Sequence, residues 1–249
     1  MNPTVEGAQF EADILQILQR TRDVKSIRLR KPEGFDYFPG QWISVTLANE
    51  NEQKTKPLSL SSSPTEDFLE ITKRLTGHDF SNALEALKVG DKILFEGPFG
   101  NLTFQGDYSK ICMLSGGIGI TPLRSMIRYS IDKGLKTDIV LIYSNRHEDS
   151  IAFEDDFKKM HTLNPSFKMI ITITKPSPSW KGLTGRINRK MIEETVPDYE
   201  NRIFYTCGPK PMVDAMRKIL SEIGLTEEQV KYEYFTGYLG APSSSTKSA

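Results

Sequence analysis

The chain has 249 residues, enough for one large domain or two modest ones. Its 32 basic and 32 acidic side chains cancel, which argues against a dedicated binder of nucleic acid or of anionic membranes, whose affinity rests largely on an excess of Lys and Arg. A hydrophobic content of 38% beside 26% charged residues describes a globular protein, two cysteines exclude a disulfide scaffold, and no apolar run approaches the ~20 residues of a membrane span. The N-terminus lacks a signal-peptide core, so cytoplasm is the expected compartment.

From Ala12 to about Phe104 the chain reads as short strands: Val24–Arg30, Gln41–Leu47, Phe68–Leu75 and Lys92–Gly97. Trp42, Ser44 and Thr46 alternate with Ile43, Val45 and Leu47, the period of two of a half-buried strand. One short helix, Ser81–Leu87, interrupts them, and an antiparallel β-barrel or sandwich is expected. After Gln105-Gly106-Asp107 the rhythm becomes strand–helix alternation. Ile111–Leu114, Ile139–Tyr143, Met169–Thr174 and Ile203–Thr206 are continuous apolar runs, as in strands buried on both faces. Between them Pro122–Lys133, Phe153–Leu163, Asn188–Glu194 and Pro211–Ile223 carry apolar residues at helical spacing, and Val230–Phe235 offers a fifth strand. The expected organisation is a β-barrel over residues 1–106, a Rossmann-like α/β domain with a parallel sheet over 107–240, and a disordered Ser-rich tail over 241–249.

The strongest local signal is Leu114-Ser115-Gly116-Gly117-Ile118-Gly119-Ile120-Thr121-Pro122, between a buried strand and a helix. Gly116, Gly117 and Gly119 would let backbone N–H groups approach a pyrophosphate at the positive end of that helix. Thr121 fits the N-cap and Pro122 the first helical position, though a merely tight turn gives the same letters. A second signal, Cys207-Gly208-Pro209-Lys210-Pro211-Met212, stands at a carboxyl strand end, where open α/β sheets bind ligands. Cys207 either works beside a reacting ring or is a small buried residue. In the first half, Lys56-Pro57-Leu58-Ser59-Leu60-Ser61-Ser62-Ser63 is by itself a serine-rich loop with one cation. His78, His147 and His161 show no metal-ligand spacing with each other or with Cys112 and Cys207, so no metal is expected.

Taken in order, with Phe38-Pro39-Gly40-Gln41, Gly97-Pro98-Phe99-Gly100 and Glu233-Tyr234-Phe235-Thr236-Gly237-Tyr238, these segments resemble the ferredoxin–NADP reductase family over about residues 10 to 238. The resemblance implies FAD on the barrel, NADP or NAD on the α/β domain, and hydride exchange between them. The serine stretch matches the family's Arg-x-Tyr-Ser flavin motif, with Ser59 at the flavin N5. Lys56 replaces its Arg, keeping charge but losing the planar fork, and Leu58 replaces its Tyr, covering a ring without an aromatic face. Ile71-Thr72-Lys73 matches the strand beside the flavin pyrimidine edge, and Phe80-Ser81-Asn82 the helix start that binds phosphate. Glu233 and Phe235 match an acidic residue and an aromatic by the flavin, although 14 residues follow Phe235 here.

For the coenzyme, the resemblance places Ser144 and Arg146 after the second strand of the α/β domain, and Thr174-Lys175 and Arg186 around the adenosine ribose. No carboxylate stands at the end of that strand, which favours NADPH over NADH. The implied function is a flavin oxidoreductase that takes hydride from NAD(P)H and hands electrons to a separate acceptor: ferredoxin, flavodoxin or a partner oxygenase. Two alternatives stay open. One is an electron-transfer subunit of a larger redox complex, like the dihydroorotate dehydrogenase partner subunit, whose C-terminal cysteine cluster is missing here. The other is a non-catalytic nucleotide-binding sensor, suggested by Lys56 and Leu58.

Overall fold

The computed structural model describes residues 7–49 and 52–235. The first half supplies six strands and one helix: β1 (Ala8–Thr21), β2 (Val24–Arg30), β3 (Trp42–Asn49), β4 (Glu52–Ser59), β5 (Phe68–Arg74), α1 (Asp79–Ala86) and β6 (Lys92–Phe99). They form an antiparallel sheet in the order β4-β3-β6-β1-β2-β5. The sheet curls until Leu60, just past β4, bridges Ile71 of β5, so its two edges meet at one point. Ile43, Val45 and Leu47 of β3 point inward onto Phe35, Leu69, Ile93 and Phe95, as the alternation predicts.

Two of these strands were not legible in the sequence. β1 runs 14 residues and changes partner midway, pairing with β6 through Asp13 and with β2 from Ile14. Register shifts at Ile14/Gln16 and Gln19/Thr21 break the period of two that would have announced it. β4 is polar and contains Pro57, which an edge strand tolerates because one side of its backbone needs no partner.

The second half contains β7 (Lys110–Gly116), α2 (Ile120–Asp132), β8 (Asp138–Asn145), α3 (Glu154–Leu163), β9 (Phe167–Ile173), β10 (Leu183–Thr184), α4 (Arg189–Thr195), β11 (Ile203–Gly208), α5 (Lys210–Glu222) and β12 (Val230–Tyr234). The parallel sheet has the order β10-β9-β8-β7-β11-β12, so the winding reverses between β7 and β11. That reversal opens a crevice at the carboxyl ends of these two strands. Ile111, Cys112, Met113 and Leu114 are all fully buried, packed alternately on the α2–α3 side and the α4–α5 side. Both faces are covered, which is why the run lacks alternation.

The helix after the glycine turn starts earlier than expected. A 3-10 turn spans Gly117–Gly119, and α2 begins at Ile120 with Gly119 in the cap position. Thr121 is therefore inside the helix, its hydroxyl donating to the Ile118 carbonyl, and Pro122 follows in the first turn. Ser144 likewise lies within β8 and not beyond it. Thr236-Gly237-Tyr238 and residues 241–249 lie outside the described residues. Among the described residues no helix is long and apolar enough to cross a membrane.

Candidate functional site

The crevice at the winding reversal is built from backbone that approaches backbone. A Cβ on Gly119 would lie 2.3 Å from the Cys207 carbonyl oxygen, so only glycine lets the start of α2 rest on the end of β11. The Cys207 thiol donates to the Gly119 carbonyl at 3.1 Å and ties the same two ends from the other side. Burial, and then the nearby Glu233 charge, hold that thiol protonated, so Cys207 acts by packing and contact and not as a thiolate. Met212 lies over Gly116 and Gly208, its sulfur 2.8 Å from where a Gly116 Cβ would stand, and Pro209 caps α5 beside it.

The barrel contributes the opposite wall. Ser59 closes β4, half-buried and paired with Trp42 of β3. Leu58 is partly buried against the barrel core, and Lys56, on the same face of β4, is exposed. Lys73 of β5 is held below the ordinary lysine range, first by burial and then by the Lys56 ammonium. Two neighbouring lysines on β4 and β5 fit a doubly anionic ligand, as the pyrophosphate of a flavin dinucleotide would be. Glu70 already gives its carbonyl to the Ser61 and Ser62 amides, and by alternation Thr72 and Arg74 are the next backbone positions facing that open edge. The side chains of Ile71 and Thr72 are buried, the Thr72 hydroxyl bonded to Ser26 and Ser61. Phe80 is buried in the barrel core and the Ser81 hydroxyl is held by Thr76, while the Asn82 side chain donates to the Gly77 carbonyl. At this helix start the available phosphate donors are thus backbone amides.

Glu233 joins the two halves. It sits on β12 opposite Cys207, and the Trp42 indole of the barrel lies beside its carboxylate, where it favours the ionised form. Burial pushes the Glu233 carboxyl up to about 7, overriding the opposing effect of the Trp42 indole. Gly100, at φ +96°, keeps this meeting open: a Cβ there would lie 2.8 Å from the Trp42 Nε1 and 3.1 Å from the Glu233 Oε1. Trp42 also packs on Phe99, with ring centroids 4.7 Å apart. Sequence reasoning missed Trp42, whose alternation had placed it simply on the polar face of a strand. Phe235 follows β12, donates its N–H to the Gly208 carbonyl, and packs partly buried on the α2–α3 side of the core.

A second feature lies along the same strand ends. A cavity of about 400 Å³ is lined by His147, Glu148, Asp149, Ser177, Ser179 and Trp180. Arg146 and Lys175 meet beside it through the Lys175 N–H and the Arg146 carbonyl, 2.9 Å apart, and both side chains are exposed, as is that of Arg186. Glu148 accepts from the Ser177 amide and hydroxyl, both at 2.8 Å, and these bonds hold its carboxyl below the usual range. The sequence showed no carboxylate at the end of β8. The structure supplies two, because the 3-10 turn Glu148–Ser150 folds them back toward the cavity.

Known proteins share both halves. Residues 13–104 match the oxidoreductase FAD-binding domain and residues 113–218 the oxidoreductase NAD-binding domain. The glycine betaine monooxygenase reductase subunit of Chromohalobacter salexigens is 32% identical over 231 residues, covering 89% of this chain and 62% of its own. The chain thus spans a little under two thirds of that relative's length. NADH-cytochrome b5 reductase 1 of Aspergillus terreus is 30% identical over 76% of this chain and 68% of its own. In fold, the chain is similar to a ferredoxin NADP+ reductase from Neisseria gonorrhoeae, with a TM-score of 0.80, 21% identity, and coverage of 92% and 99% of the two chains. With matched FAD- and NAD-binding domains meeting at one crevice, the chain belongs to the FAD- and NAD-binding oxidoreductases of the ferredoxin–NADP reductase family.

Proposed function

We propose that this chain is the reductase of an electron-transfer pair, taking hydride from a reduced nicotinamide nucleotide and passing electrons to a separate redox protein. The observation that carries this reading is the meeting of Ser59, Trp42 and Glu233 from two domains beside the glycine turn. A flavin held there supplies the two-electron acceptor that can release its electrons singly. Ser59 offers the hydroxyl that orients the ring edge, and Lys56 with Lys73 offers the charge for the pyrophosphate. Glu233, with a carboxyl titrating near neutrality, can hold or release a proton at its oxygens beside the ring. Phe235 shields the ring face, which makes it a gate to nicotinamide. Gly116, Gly117 and Gly119 give backbone to the dinucleotide phosphates.

For the coenzyme, the carboxylates of Glu148 and Asp149 in the cavity favour an unphosphorylated ribose, hence NADH, over the NADPH that the basic residues alone suggested. Trp180, half-buried in the same lining, offers a face for the adenine. The acceptor is a ferredoxin, a flavodoxin or a partner oxygenase; the relative from Chromohalobacter is by name a monooxygenase reductase subunit, which supports the last. Two buried free thiols, Cys112 and Cys207, suit the cytoplasm. The test is purification and titration: the expected protein is yellow, holds FAD, and is bleached by NADH. A colourless protein that gains no flavin absorbance on incubation with FAD overturns the reading in favour of a nucleotide sensor.

A further inference from the structure

Ser61, Ser62 and Ser63 follow Ser59 by two to four residues, and all three are completely buried. A serine-rich loop belongs on the surface, so their burial needs partners. Several come from the other domain. The Arg124 Nη1 of α2 donates to the Ser61 carbonyl at 2.9 Å, and the Ser125 hydroxyl donates to the Ser62 carbonyl. The barrel holds the remainder: the Tyr37 hydroxyl donates to the same Ser62 carbonyl at 3.0 Å, and the Ser61 hydroxyl is shared with Glu70 and Thr72.

Arg124 itself is only 2% exposed. Its charge is matched by Glu66, which it meets through both terminal nitrogens, and by Asp156 of α3 at 3.3 Å. A second arginine, Arg20 of β1, reaches Glu70 at 2.8 Å and Asp156 at 3.6 Å. Both guanidinium groups lie against the Phe153 ring, 4.7 Å from its centroid for Arg20 and 5.7 Å for Arg124, on a backbone at φ +63°. A buried ionic network of this kind contributes little net stability compared with apolar packing, but it admits few geometries.

Its two ends explain what that geometry serves. Gly119 caps α2, and Arg124 stands five residues along it, about 7.5 Å at the rise of a helix. Ser61 is two residues from Ser59, at most about 7 Å of chain. Resting on the function proposed above, we propose that Arg124 and Ser125 are positioning residues that set the distance between the Ser59 hydroxyl and the dinucleotide turn at Gly116–Gly119. Hydride transfer needs reacting atoms about 3–3.5 Å apart, and a misplacement of 1 Å costs on the order of 10²-fold in rate. A rigid strut across the seam supplies that tolerance, where a smooth apolar contact would let the domains slide.

Ser125→Ala, Arg124→Met and Arg124→Lys test this in the full, flavin-loaded chain. Stopped-flow reduction by NADH separates the limiting rate from coenzyme affinity, and amide hydrogen exchange at residues 60–63 reports the strut without any turnover. The expected result is a limiting rate lowered about 10-fold in Ser125→Ala and about 10²-fold in Arg124→Met, with NADH affinity within 2-fold of wild type. Exchange at Ser61 and Ser62 should quicken in both, and Arg124→Lys should recover part of the rate. If exchange quickens while the limiting rate stays at the wild-type value, the residues only glue the domains and the proposal falls. Equal losses of rate and affinity overturn it as well. A wild-type chain that takes up no flavin refutes instead the function, while the exchange data still report the strut.

Discussion

The two walls of the crevice are built from opposite materials. On the parallel-sheet side, the end of β7 and the end of β11 meet through glycine backbone, with Ile, Cys, Met and Leu buried behind them. On the barrel side, β5 carries Glu70 and Thr72 into full burial, and they are satisfied by Ser61, Ser26, Arg20 and Arg28. One wall is a pair of short turns, at the ends of β7 and β11, that meet backbone to backbone. The other is a network whose members come from β1, β2, β5, α2 and α3. The first should fail at a single atom, the second by degrees.

Gly119→Ala breaks the motif side most severely. Its Cβ would stand 2.3 Å from the Cys207 carbonyl oxygen, a backbone atom that cannot step aside. We expect a loss of about 3 kcal/mol, the upper end of overpacking costs, together with loss of coenzyme binding. Chemical denaturation and a coenzyme titration measure both, and a variant as stable as wild type with intact binding would show that the strand end can yield.

Ser59→Ala tests the network side at its chemical end. On the proposed role of its hydroxyl at the flavin edge, a contact that counts mainly in the transition state, flavin reduction should slow by ~10²-fold with coenzyme affinity largely spared. Stopped-flow traces that match wild type would place Ser59 outside the chemistry.

Glu148→Gln sharpens the comparison along the strand ends of β8 and β9. Wild type should have the higher kcat/KM with NADH, and the variant should lose about 10-fold of that preference as repulsion of a 2′-phosphate disappears. A wild-type preference for NADPH would return the choice to Arg146 and Lys175.

The smallest effect belongs to Glu233, where the two walls touch. Its folded carboxyl titrates at about 7 against an ordinary value of 4.5. The folded state therefore holds a proton that the unfolded chain releases, a contribution to stability present below about 4.5 and lost as pH rises through about 7. Glu233→Gln should flatten the fall in thermal stability between pH 5 and pH 8. An identical pH profile in wild type and variant would mean that the carboxyl is ionised throughout.

The chain's own order of residues determined the two-domain architecture and the glycine turn between β7 and α2. Continuous apolar runs require a sheet covered on both faces, and glycines between a strand and a helix leave few local conformations. It also pointed to Glu233 and Ser59, through the order of short segments and not through any one of them. Folding alone decided the rest. β1 was hidden by bulges that shift its register, and β4 by the polar residues an edge strand permits. Trp42 becomes a partner of Glu233 only when β12 is brought against β3. Glu148 and Asp149 reach the strand ends only through a turn of three residues. Arg124 reads as an ordinary helix cation until α2 docks on the serine loop. Period and spacing report which face of an element is buried, whereas polar contacts across a seam depend on how two separately coded sheets come to rest on each other.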